Sequence, residues 1–153
     1  MRSIAAEIDA LEELIYETVN NGVYRCGFAT TQEAYDEAVT ALFATLDELD
    51  ARLASRRYLF GERITEADWR LFTTLARFDP VYVGHFKTNL RRIADYPNLG
   101  PYFRDLYQQP GVAETVRLDH IKTHYYTTHL QLNPGGIIPA GPVLDWDRLH
   151  GRS

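Results

Sequence analysis

Cysteine is almost missing from this sequence, and that scarcity removes several chemistries at once. A single residue, Cys26, permits no internal disulfide, no Cys-x-x-Cys redox pair and no thiolate cage for a metal. An excess of positive charge is lacking too. Sixteen Lys and Arg stand against twenty-one Asp and Glu, a formal charge of −5 that offers no global field to a polyanion, so nucleic acid is not an expected partner. Long apolar runs are also missing. The longest uncharged stretch, residues 123–144 with His counted neutral, holds three prolines and three glycines, which is unsuited to a membrane span. The opening Met1-Arg2-Ser3-Ile4 meets charge before any apolar signal core develops, so a cytoplasmic location without a secretory leader is expected. Period-two alternation of β-branched residues between hairpin turns is absent, and no sheet is expected.

What is present reads as one all-α domain, since 153 residues with 45% hydrophobic content suffice for a single core. Ile4, Ile8, Leu11, Ile15 and Val19 recur at helical steps and predict a first helix. Asn20-Asn21-Gly22 predicts its end and a loop carrying Tyr24, Arg25, Cys26, Gly27 and Phe28. Thr30 and Glu33 have the spacing of a capping box. They open a helix of about six turns whose apolar stripe runs Tyr35, Ala38, Val39, Leu42, Phe43, Leu46, Leu49 and Leu53. The strongest local signal is Ile64-Thr65-Glu66-Ala67-Asp68-Trp69. Thr65 as N-cap and Asp68 at N3 form a reciprocal box of structural character, with Ile64 stapled to Trp69, and the helix runs until Asp79-Pro80. Further helices are predicted over about Val81–Asp95, Leu99–Gln108 and Val112–Leu130. From Asn133 onward proline and glycine deny regular structure, yet Ile137, Ile138, Val143, Leu144 and Trp146 are too apolar for a free tail. The expectation is a single helical domain over 1–153 with the tail 131–153 packed on it.

Ten tyrosines are the compositional oddity, because each buried phenol needs a hydrogen-bond partner. Tyr24 follows the first helix, Tyr82 follows the Asp79-Pro80 break, and Tyr125 lies in His124-Tyr125-Tyr126 on the last helix. Phenols gathered round a hollow can hydrogen-bond an aromatic diol and stack on it, although core or surface roles fit the pattern as well. His120 and His124 share a helical face, with His129 near. However, the Glu of a His-Glu-x-x-His motif is missing and no carboxylate cluster accompanies them, so no metal is expected. Lys87, Arg91 and Arg92 on one short helix, with Lys122 elsewhere, read as a solvated basic face or, alternatively, an anion site. Cys26 beside Arg25 has no adjacent histidine and reads as a plain thiol.

The capped inner helix resembles that of the C-terminal domain of glutathione transferases, and longer strings narrow the resemblance. They are Asn21-Gly22-Val23-Tyr24 with Gly27-Phe28-Ala29, and Arg77-Phe78-Asp79-Pro80-Val81-Tyr82 with His85-Phe86-Lys87. Asp95-Tyr96-Pro97-Asn98-Leu99 and Asp119-His120-Ile121-Lys122 with His124-Tyr125-Tyr126 continue it, up to Asn133-Pro134-Gly135. Together, from about Ile8 to Asp147, they resemble the Xi class, the glutathionyl-hydroquinone reductases.

That resemblance implies a parent of two domains, in which an N-terminal thioredoxin-like domain binds glutathione as co-substrate and carries a nucleophilic cysteine in a Cys-Pro motif. This sequence contains neither, so it resembles the C-terminal half alone, as a piece of a longer chain or as a single-domain relative. Cys26 falls where the family usually has a small residue and inherits no catalytic role. In the family the cysteine thiolate attacks the glutathione sulfur of a glutathionyl-hydroquinone, releases the hydroquinone, and is restored by a second glutathione. By similarity Tyr24, Tyr82 and Tyr125 are the hydroquinone-binding phenols, and no catalytic residue lies in this half. A homodimer through the helical domains is implied as well, and an exposed apolar patch is expected where the thioredoxin-like domain docks. The alternative is a stand-alone helical binding or scaffold module that keeps the fold without the chemistry.

Overall fold

The computed structural model describes residues 3–153, and helices carry the architecture. The order is α1 (Ile4–Ile15) running into a wide π turn (Tyr16–Asn20), α2 (Gly22–Gly27), α3 (Gln32–Leu53) and α4 (Glu66–Arg77) with a second π turn (Phe78–Tyr82). Then come the short α5 (Val83–His85), a 3-10 turn (Ile93–Asp95), α6 (Leu99–Tyr107), another 3-10 turn (Ala113–Thr115) and α7 (Leu118–Thr128). Among the described residues there is no strand, only an isolated bridge between Tyr58 and Gly61. No described helix is long and apolar enough to cross a membrane.

The buried faces follow the helical period. Leu42, Phe43, Leu46, Leu49 and Leu53 of the 22-residue α3 meet Leu71, Phe72 and Leu75 of α4 and Tyr102, Phe103 and Leu106 of α6 in one core. The capping box of α4 is present, and Asp68 does more than close it. Its carboxylate, wholly buried, accepts from Thr65 N (2.8 Å), Thr65 Oγ1 (3.2 Å), Leu59 N (3.0 Å) and Tyr102 Oη (2.7 Å). A single side chain thereby ties the start of α4 to the preceding loop and to α6. Ile64 and Trp69 both pack half-buried against the core.

Several sequence expectations are corrected. The predicted loop after Asn20-Asn21-Gly22 is instead the helix α2. Asn21 stays right-handed, and Val19, Val23 and Cys26 continue one buried face. The N-cap of α3 is Thr31, whose Oγ1 accepts from Ala34 N (3.1 Å), which leaves Glu33 at N2 and outside a box with Thr30. Pro80 lacks the N–H for the α ladder, and the π turn absorbs the gap, with Val83 N returning to Phe78 O. The predicted helix 81–95 stops at His85, because long-range bonds pull the chain away. Lys87 adopts φ 60°, its carbonyl accepts from Tyr35 Oη, and the buried Asp79 carboxylate accepts from Ile93 N (2.7 Å) and Ala94 N (3.1 Å). The last helix is shorter than predicted, with Ala113–Thr115 a separate turn.

In the tail, Trp146 is buried against Phe103 (4.8 Å between centroids) and Tyr107 (5.2 Å). Gln108 Nε2 donates to the carbonyls of Trp146 (2.8 Å) and Arg148 (2.6 Å), and Arg152 donates to those of Leu53, Arg56 and Arg57 at the end of α3. Ile137 and Val143, by contrast, lie exposed.

Candidate functional site

One aromatic plate organises the region where α2, the second π turn and α7 meet. Phe86, fully buried, stacks on Tyr82 (5.1 Å, 6°) and on His85 (5.1 Å, 29°), and tilts against Tyr24 (5.2 Å) and Phe28 (5.5 Å). It lies directly on the backbone of α2. A Cβ at Gly27 would sit 2.1 Å from Phe86 Cδ1, so only glycine admits the ring there.

Around this plate the three tyrosines singled out in the sequence converge. Tyr24 Oη lies 2.7 Å from Tyr125 Oη, and Tyr82 Oη lies 2.8 Å from the same oxygen, with Tyr125 in the middle. Residues 101 and 43 positions apart in the chain thus share one hydrogen-bonded cluster. Burial is graded across it. Tyr82 is 2% exposed and Tyr125 6%, while Tyr24 is 39% exposed. Burial, and next the hydrogen bond to Tyr125, push the Tyr82 phenol far above its ordinary value. Tyr125 is pushed up to about 12, chiefly by burial and then by its bond to Tyr24. Tyr82 and Tyr125 are therefore neutral hydrogen-bonding groups at physiological pH. The hydroxyls fill the hollow by bonding one another rather than lining an empty space, and only Tyr24 reaches the surface.

Behind them His85 and His129 stack (5.4 Å, 13°), with His85 Nε2 3.2 Å from His129 Nδ1. Burial, with help from His129 and Lys87, lowers His85 to about 4, and burial also lowers His129. His129 packs edge-on against Phe28 (5.0 Å) and against Tyr125 (5.6 Å). His120 is exposed, 3.8 Å from Asp119, and no group of three or more potential metal ligands occurs among the described residues.

The basic residues do not share a helix. Arg91 pairs with Asp47 and lies over the rings of Phe43 (5.8 Å) and Tyr96 (5.2 Å), and Arg92 pairs with Asp95 (2.8 Å). With both guanidiniums matched to carboxylates, the anion-site alternative loses two of its four basic groups, and Lys122 Nζ donates to Gly141 O (2.9 Å). Cys26 is buried, and burial pushes its thiol up to about 11, so it is a poor nucleophile in the folded chain. Phe86 and Gly27 stand in the sequence only within the family-like strings, with no role of their own to be read there. Their contact joins two segments whose spacing carries no sign of it.

One open hollow borders the cluster, and a second shares none of its residues. One, of about 690 Å³, is bordered by Tyr24, Arg25, Phe28 and the α3 residues Ala34, Glu37, Ala38 and Ala41. The other, about 760 Å³, lies between α1 and α4, with Ile15, Tyr16, Ala67 and Trp69 beside the charged Glu12, Glu66 and Arg70. The second is the roomier, but none of the three clustered phenols lines it, and the phenol cluster is the better candidate for ligand chemistry.

Comparison with known proteins agrees with the fold. Residues 32–105 match the family described as glutathione S-transferase, C-terminal domain. The chain is 57% identical over 150 residues to the glutathionyl-hydroquinone reductase YqjG of Escherichia coli, covering 98% of this chain and 46% of that protein. It is 59% identical over 137 residues to the glutathionyl-hydroquinone reductase PcpF of Sphingobium chlorophenolicum, covering 90% of this chain and 44% of that protein. Among solved structures, glutathione-bound YqjG superposes with a TM-score of 0.94 at 58% identity, over 96% of this chain and 48% of that one. A Xi-class transferase of Natrialba magadii gives 0.93 at 55%, over 96% of this chain and 45% of its own. The chain spans a little under half the length of these relatives. Sequence and fold together identify it as a glutathione S-transferase C-terminal domain of the Xi-class type, similar to the helical half of the glutathionyl-hydroquinone reductases.

Proposed function

We propose that this chain supplies the acceptor-substrate wall and the dimer surface of a glutathionyl-hydroquinone reductase, working with a glutathione-binding thioredoxin-like domain that carries the catalytic cysteine. The observation that carries the proposal is the meeting of Tyr24, Tyr82 and Tyr125 in one hydrogen-bonded cluster. When a thiolate takes the glutathionyl sulfur, the carbon–sulfur bonding electrons pass to the ring. Oriented phenolic donors at the ring oxygens favour that charge as it develops. The partly exposed rings of Tyr24 and Phe28, beside the 690 Å³ hollow, offer an apolar surface for such a substrate. The apolar side chains in the α1–α4 hollow, with Tyr16 61% exposed, fit a surface on which the thioredoxin-like domain docks. Alone, the chain binds but does not turn over.

The test is to join the chain to the N-terminal half of YqjG and measure glutathionyl-hydroquinone reduction for the parent fusion and each Tyr→Phe variant. Loss of one phenolic donor is expected to lower kcat/KM by up to a few kcal/mol in free energy while the protein stays folded. Unchanged turnover in all three variants refutes the site. The homodimer is checked by light scattering. Only monomer at high micromolar concentration contradicts it.

A further inference from the structure

We propose that Tyr82, Tyr125 and Tyr24 form a one-way hydrogen-bond chain, Tyr82 donating to Tyr125 and Tyr125 to Tyr24, which leaves the Tyr24 hydroxyl proton as the single donor presented to an aromatic oxyanion. The inference rests on the functional reading above and adds a direction and a ligand class to it.

Counting protons gives the direction. Each phenol has one O–H to donate and lone pairs to accept with. Three hydroxyls joined by two bonds keep two protons inside and leave one over. Were the chain to run from Tyr24 inward, the spare proton would sit on Tyr82. That residue is 2% exposed, and its Oη has no other partner among the described residues. Were Tyr24 and Tyr82 both to donate to Tyr125, the spare proton would sit on Tyr125, 6% exposed, whose Oη bonds only these two among the described residues. Either arrangement strands a buried donor, which is costly. The remaining arrangement places the spare proton on Tyr24, which is 39% exposed and borders the 690 Å³ hollow.

Two consequences follow for chemistry. First, Tyr82 does not touch ligand. It is a positioning residue that polarises Tyr125 and, through it, Tyr24, because donors in series strengthen one another. Second, burial holds Tyr82 and Tyr125 protonated well above the ordinary phenol range, so neither inner member of the chain gives up its proton to a bound anion. The site therefore selects a ring oxygen that is, or is becoming, negatively charged and remains so while bound.

The experiment uses the isolated 153-residue chain and the probe 4-nitrophenol, whose phenolate and phenol forms absorb at different wavelengths. Its methyl ether, 4-nitroanisole, serves as a control that cannot ionise. With the parent chain, bound nitrophenol should ionise at lower pH than free nitrophenol, and Tyr24→Phe should abolish that displacement. Tyr82→Phe should weaken phenolate binding about twofold and shrink the displacement, leaving nitroanisole binding unchanged. Installing 3-fluorotyrosine at position 82, a stronger donor, should move both quantities the opposite way. If the parent chain does not displace the ionisation at all, the ring-oxygen site itself is wrong, and this inference falls with it. If the parent displaces it and Tyr24→Phe abolishes the effect, but neither change at Tyr82 moves it, the site stands and the directed chain is overturned. Equal weakening of nitrophenol and nitroanisole by Tyr82→Phe marks a packing effect and also overturns it. Far-ultraviolet circular dichroism confirms that each variant is folded.

Discussion

Replacing Gly27 by alanine tests the geometry that holds the phenols together. A methyl carbon built on Gly27 lies 2.1 Å from Phe86 Cδ1, 2.4 Å from Cγ and 2.8 Å from Cε1. Ordinary contact needs about 3.4 Å or more, so the ring must retreat by more than about 1 Å. It has little room, because Phe86 is fully buried and stacks on Tyr82 at 5.1 Å on one side and on His85 at 5.1 Å on another. Alanine gains about 1 kcal/mol of helix propensity over glycine, whereas overpacking a filled site typically costs about 1–3 kcal/mol and here adds a backbone shift of α2. The net expectation is a loss of about 1–2 kcal/mol, or about 2–8 °C in Tm for a chain of this size. Because Tyr24 rides on α2, nitrophenol binding should weaken as well. Gly84→Ala is the control. A Cβ there meets Tyr126 Oη at an ordinary 3.6 Å, so stability should hold or rise slightly. A Gly27→Ala protein with unaltered Tm and unaltered binding would refute the argument from close approach.

Other perturbations have signs fixed by the same coordinates. Asp68→Ala removes the cap of α4 and strands Tyr102 Oη and Leu59 N inside the core, so unfolding in urea should show a loss of about 3–5 kcal/mol. His85 titrates at about 4 in the folded chain against 6.5 unfolded, with His129, Lys87, Tyr125 and Tyr126 facing or flanking it. The unfolded chain therefore binds the extra proton between these values. Stability is fully present above pH 6.5 and falls by on the order of 2 kcal/mol as pH drops to 4, solvent around the partly exposed histidine pair screening part of the effect. His85→Phe should flatten that segment of the denaturation profile, and an unchanged slope would count against a buried neutral histidine.

Much of the helical framework was legible because it rests on local signals. The stripe of α3 and the Thr65–Asp68 box lie within a few residues of what they organise. Features set by distant partners were not. Asp50 on α3 accepts from Leu99 N (2.8 Å) and Asn98 N (2.9 Å), capping α6 from another helix, and nothing near Leu99 announces it. Asp79 likewise halts a helical pattern by drawing in Ile93, and Asn-Asn-Gly reads as a stop although Val19, Val23 and Cys26 keep one face buried. At the site, spacing alone left the three tyrosines undecided between core and ligand roles, and it was the family resemblance that grouped them. The order in which they bond, and the exposure of Tyr24 alone, needed coordinates. So did the plate of Phe86 on Gly27, since a missing side chain gives no periodic signal.

The most direct measurement labels every tyrosine with ¹³C at Cζ and follows the NMR resonances while a glutathionyl-hydroquinone is added to the chain. Tyr24 and Tyr125 should shift together and saturably, with a smaller change at Tyr82 and none at Tyr16 in the α1–α4 hollow. Saturable shifts at Tyr16 with the three clustered phenols unmoved would contradict the account.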